Sequence, residues 1–109
     1  MYEYQAKLHS VYDGDTIRLD IDLGFGVWLN KQTIRLAGID APELRGTERE
    51  NGLKAKEALN EMLQKAKSIS LRTFRDKKGK YGRWIAIIYA DNTNVNEWMI
   101  ENGFAKVYD

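Results

Sequence analysis

The sequence contains no cysteine, one histidine and one proline. Without cysteine there is no disulfide framework, no thiolate zinc site and no thiol nucleophile. His9 alone excludes most histidine metal sites and makes a Ser-His-Asp triad improbable. No run approaches the ~20 consecutive apolar residues of a membrane-spanning helix. Met1-Tyr2-Glu3-Tyr4 lacks the charged-then-apolar pattern of a secretory leader. What remains is 109 residues, 43% hydrophobic and 30% charged, the size and composition of one soluble domain spanning 1–109. Its chemistry must come from carboxylates, Lys, Arg and Tyr.

The net charge of +1 conceals a segregation. Residues 1–30 carry five acidic side chains against two basic ones, whereas residues 61–90 carry eight basic against two acidic. An acidic block and a basic block in one small domain suit a site that takes a cation and a polyanion together. A solvated basic loop on a mixed surface accounts for the same counts.

Residues 2–11 read as a first strand. Asp13-Gly14 is a hairpin signal, and Thr16 to Ile21 alternates with period two. Gly24-Phe25-Gly26 gives a second turn, and Val27 to Ile39 a third strand. Ala41-Pro42 ends that strand, because proline cannot donate to a ladder. From Asn51, the spacing of Ala55, Ala58, Leu59, Met62, Leu63 and Ala66 predicts a helix with one apolar stripe. Ile69 to Phe74 and Trp84 to Tyr89 read as strands flanking a basic loop, Arg75–Arg83. Asn94 is placed to cap a short helix over Val95–Asn102, with Gly103 at its C-terminal stop. The order predicts a β-rich α+β fold. It is a five-stranded Greek-key barrel of the OB type, with a helix between strands three and four and a short helix near the C-terminus.

Three segments carry candidate chemistry. Arg35 lies opposite Ile34 and Leu36 in its strand, on either a solvated exterior or a site. Asp40-Ala41-Pro42-Glu43 follows at the strand end, where a plain Asx turn is the simpler reading. Asp13 is explained by its turn, but Asp15 opens a strand where Asp is a poor former. If the two turns meet at one barrel end, Asp15, Asp40 and the Ala41 carbonyl offer hard oxygen ligands suited to Ca²⁺, and less readily to Mg²⁺. Lys78-Gly79-Lys80-Tyr81-Gly82-Arg83 is the third segment, either a phosphate-binding stretch or a lysine-solubilised hairpin loop. Arg83 directly precedes an apolar strand and is therefore anchored, so its guanidinium can fork onto two phosphate oxygens. A metal, a carboxylate that orients water and two arginines suffice for in-line attack on a phosphodiester.

In this order the segments resemble the staphylococcal nuclease family. The matching stretches are Val11–Thr16, Ile34–Glu43, Lys80–Arg83, Ile88–Asp91, Val95–Glu97 and Gly103–Val107. The resemblance implies that Asp15, Asp40 and the Ala41 carbonyl hold Ca²⁺, and that Glu43 activates or orders water. It implies that Arg35 and Arg83 bind the scissile phosphate, and that Lys80 and Tyr81 contact a terminal phosphate. Lys78 is a further candidate phosphate contact and Tyr108 a candidate base stacker. The implied substrates are DNA and RNA, single-stranded or locally open, cut at the 5′ P–O bond to leave 3′-phosphates. Neither a membrane nor an obligate protein partner is implied. Ala41 stands where the family commonly has Thr, and the Arg45–Asn51 loop is short for the family. The chain ends at Asp109, before the long final helix that the resemblance would place there. The alternative is a catalytically silent module of the same fold that binds nucleic acid or a protein.

Overall fold

The computed structural model describes residues 2–78 and 83–108, with backbone alone for 75–78. Strands β1 (Tyr2–Asp13), β2 (Thr16–Asp22) and β3 (Trp28–Leu36) form an antiparallel meander. The two-residue strand β4 (Ile39–Asp40) and a 3₁₀ turn (Gly46–Glu48) lead into helix α1 (Arg49–Lys65). Then come β5 (Ile69–Lys78), β6 (Trp84–Ala90), β7 (Thr93–Asn94), α2 (Val95–Glu101) and β8 (Lys106–Val107). β5 pairs with both β1 and β6, and a parallel β3–β6 pairing closes five strands into a mixed barrel. The fold is the expected OB-type α+β domain.

The alternation in sequence becomes the core. Ile17, Leu19 and Ile21 point inward from β2, Ile34 and Leu36 from β3, and Ala86 and Ile88 from β6. The buried stripe of α1 is Gly52, Ala55, Leu59 and Leu63, and it closes one barrel face. Asn94 caps α2, its side chain accepting from the Glu97 amide at 3.0 Å. Gly103 follows in the left-handed region at φ 77°.

Two boundaries differ from expectation. The third strand does not run to Ile39. It stops at Leu36, and the chain turns through Gly38 at φ 76° into β4, which leaves the main sheet and pairs with β8. Glycine adopts that positive φ without the strain an L side chain would carry against its own backbone. β5 runs to Lys78, so the connection to β6 is shorter than the expected Arg75–Arg83 loop.

Asp91 joins the two far turns. Its carboxylate accepts from the Lys67 amide at 3.0 and 3.1 Å and from the Ser68 amide at 2.9 Å. These backbone bonds, Lys67 first, hold its carboxyl below the ordinary value of 3.8. A depressed folded-state value contributes stability that is present above 3.8 and lost as pH falls through the folded value. Asp91→Asn keeps an acceptor oxygen and tolerates the left-handed φ of 48° at this position. The Tm advantage of the parent over this variant is therefore expected to shrink on acidification from about pH 7 to pH 2. A pH-independent difference would show that the charge contributes nothing.

Candidate active site

The β1–β2 turn, the β3–β4 turn and the segment entering β6 meet at one end of the barrel. Asp13, Asp15, Arg35, Asp40, Ala41, Pro42, Glu43, Arg83 and Tyr108 line one cleft there, of ≈ 290 Å³. The sequence placed Asp15, Arg35, Asp40, Ala41, Glu43, Arg83 and Tyr108 as candidates, and the fold brings these seven together. Lys80 and Tyr81 lie outside the described residues, as does the side chain of Lys78.

Asp15 is 8% exposed and fixed from three directions. Its Oδ2 accepts from the Ala41 amide at 2.9 Å, its Oδ1 from the Thr16 hydroxyl at 3.0 Å, and its own carbonyl from the Leu36 amide at 2.8 Å. These bonds lock the β1–β2 turn onto the β3–β4 turn. Asp13 Oδ1 accepts from the Asp15 amide at 3.0 Å, closing the turn as its sequence suggests. Asp13 also faces the cleft, where burial and the neighbouring Asp15 carboxylate raise it to about 6.

Arg35 is the hub. Its Nη1 donates to the carbonyls of Leu36 at 3.0 Å and Ile39 at 2.9 Å. Its Nη2 lies 3.8 Å from both Asp15 Oδ2 and Asp40 Oδ1. The Tyr108 ring centroid is 5.1 Å from the guanidinium carbon. Glu43 stands at the rim, 66% exposed, with Oε2 3.8 Å from Arg45 Nε. Its backbone is held by Glu48, whose Oε1 accepts from the Glu43 amide at 3.0 Å. Arg83 is half-buried immediately before β6, whose Ile85 pairs with Arg35.

Three supporting residues are not assigned a role from the sequence, although Gly14 lies in the expected hairpin turn and Asn96 in the Val95–Glu97 stretch. Gly14 is buried where a Cβ would come within 2.6 Å of the Ala41 Cβ and 2.7 Å of the Ala55 Cβ. Gly52 packs α1 directly against the Pro42–Glu43 backbone. Asn96, 4% exposed, donates to the carbonyls of Ala37 at 2.8 Å and Ala86 at 3.2 Å, and accepts from the Ile88 amide at 3.1 Å. It pins the end of β3 to β6. Its sequence signals are its place in the Val95–Glu97 stretch and a polar residue beside the apolar Val95 and Met99 of α2.

The donor set fits a hard divalent cation. Asp15, Asp40 and Ala41 line the cleft, and their carboxylate and carbonyl oxygens are hard donors of the kind calcium takes, with water to complete its coordination. Four carboxylates face two guanidinium groups, an excess of negative charge that a cation offsets. Among the described residues, no three His, Cys, Asp or Glu side chains are grouped closely enough to hold a metal ion by themselves, so a cation here would rely on two carboxylates, backbone oxygen and water. No described helix is long and apolar enough to cross a membrane.

The family model described as staphylococcal nuclease homologue matches residues 33–109. An uncharacterized protein of Methanocaldococcus jannaschii is 33% identical over 129 residues, covering 96% of this chain and 59% of its own length. Endonuclease YhcR of Bacillus subtilis is 30% identical over 115 residues, covering 97% of this chain but 9% of its own length. The probable staphylococcal-like nuclease CAN1 of Oryza sativa subsp. japonica is 40% identical over 85 residues, 78% of this chain and 24% of that protein. The chain thus spans less than two thirds of each of these relatives. With the fold, the convergent cleft and the match over residues 33–109 in agreement, the chain belongs to the staphylococcal nuclease homologue family.

Proposed function

We propose that this domain is a calcium-dependent nuclease hydrolysing DNA and RNA, single-stranded or locally opened, to leave 3′-phosphates. The observation that carries the reading is one cleft lined by Asp15, Asp40, Glu43, Arg35 and Arg83, in a family with endonuclease-named relatives. A phosphodiester in that cleft meets two guanidinium groups, each able to fork onto its oxygens. Water attacks phosphorus in line with the 5′ oxygen, the new P–O bond forms, and the 5′ P–O bond breaks. Glu43 orients that water and accepts its proton, and the departing 5′ oxygen takes a proton from solvent. Arg35 and Arg83 stabilise charge on the five-coordinate phosphorus, where preorganised donors act most strongly. Asp15, Asp40 and the Ala41 carbonyl would hold the calcium ion, which when bound would neutralise a phosphate oxygen. Lys80 and Tyr81 contact a terminal phosphate, and Lys78 adds sequence-blind attraction.

DNA should be cut in the presence of calcium and left whole with chelator. Asp40→Asn should weaken calcium binding measured by calorimetry. Equal affinity in the variant would remove Asp40 from the cation site. DNA that is bound but never cut would make the domain a binding module instead.

A further inference from the structure

Tyr108 has an arrangement that neither burial nor the barrel core explains. It is 56% exposed, yet its ring lies across the Arg35 guanidinium. Its place is set by backbone pairing. β8 pairs with β4 through Ile39 with Val107 and Asp40 with Lys106, and the Tyr108 amide then donates to the Gly38 carbonyl at 2.9 Å. The same β4 supplies the Ile39 carbonyl that Arg35 Nη1 donates to, and the Asp40 carboxylate beside Nη2. One two-residue pairing therefore assembles three sides of the guanidinium.

We propose that Tyr108 is a positioning residue that acts through Arg35, an inference that rests on the nuclease reading above. The Leu36 and Ile39 carbonyls take both protons of Nη1, which fixes one edge of the planar group. The Tyr108 ring covers one face through its quadrupole and stops rotation about the last torsions. Nη2 lies 3.8 Å from the Asp15 and Asp40 carboxylates, in the cleft that these residues line with Arg35, and there it would meet a phosphate oxygen. Arg35 is thus oriented before substrate arrives, so little entropy is lost when the phosphate binds.

The test uses kinetics on a short single-stranded oligonucleotide together with NMR of the Arg35 Nε–Hε group in the substrate-free protein. Tyr108→Phe keeps the ring and should leave kcat and the Arg35 resonance close to those of the parent. Tyr108→Leu should shift that resonance and lower kcat about tenfold with KM little changed. In an Arg35→Lys background, Tyr108→Leu should lower kcat no further. A base-stacking role predicts the opposite split: KM raised, kcat kept, and the effect abolished when the neighbouring nucleotide is abasic. That split would overturn the proposal, as would an Arg35 resonance unmoved in Tyr108→Leu. The resonance reads the bracing contact even if the parent protein cuts nothing, a result that would defeat the nuclease reading instead.

Discussion

Arg83→Lys is expected to lower kcat by about 10²–10³ while leaving KM within a few-fold, the signature of an interaction made in the transition state. Lysine keeps the charge, so long-range attraction of the polyanion survives. It lacks the planar fork, so simultaneous contact with two phosphate oxygens is lost. The position of Arg83 makes that fork available. It precedes β6 directly, and β6 forms the parallel seam that closes the barrel against β3, pairing Ile85 with Arg35. The two arginines thus leave neighbouring strands and enter one cleft, anchored by backbone that the core holds. Lys77 and Lys78 provide the control, since Lys78→Ala should weaken binding and reduce its salt dependence by roughly one phosphate contact, with kcat kept. Steady-state kinetics on one oligonucleotide at fixed salt separate the two behaviours. If Arg83→Lys matches Lys78→Ala, Arg83 only steers substrate and the two-arginine mechanism fails.

Much of the fold was legible. Period-two alternation over Thr16–Ile21 marked β2, and the apolar stripe over Ala55–Leu63 marked α1. The cap and stop of α2 were read from Asn94 and Gly103 because both are local chemistry. The β4–β8 pair was not legible, since two residues carry no period and their partner lies over sixty residues away. The site showed the same division. Residue types and order marked Asp15, Arg35, Asp40, Glu43 and Arg83 as candidates. How Arg35 is held was invisible, because two carbonyls and a ring brought by long-range pairing leave no pattern near position 35. Asp13 closes its turn as its sequence predicts, but its place in the cleft depends on the fold. From the acidic block Asp13 and Asp15, and from the basic block Arg83, line the same cleft.

Gly52 illustrates the illegible part and has the largest expected structural effect. From sequence it is a glycine inside a helix, where alanine is favoured by about 1 kcal/mol. In the fold it is buried where α1 crosses the Pro42–Glu43 turn. A Cβ there would collide with the Glu43 carbonyl oxygen, lie 2.8 Å from the Glu43 carbonyl carbon and 3.0 Å from the Pro42 oxygen. All three are backbone atoms, so no rotamer change relieves the clash. Helix and turn must separate, and overpacking of this kind costs about 1–3 kcal/mol, outweighing the gain in helix propensity. Gly52→Ala is therefore expected to lower Tm by several degrees. It should also move Glu43 off its line, and a displacement near 1 Å costs about 10²-fold in rate. Thermal unfolding and single-turnover rates check both. A variant more stable than the parent, with unchanged rate, would show that α1 does not buttress the Glu43 turn.

The most direct measurement is cleavage of end-labelled single-stranded DNA and RNA oligonucleotides by the folded protein, with calcium or with chelator, alongside Glu43→Gln. The account predicts cutting only with calcium, and products whose 3′ ends carry phosphate that a phosphatase removes. It predicts a Glu43→Gln rate lower by about 10²–10⁴ with oligonucleotide binding retained. Oligonucleotides that remain whole in calcium, or are cut equally well in chelator, would contradict it.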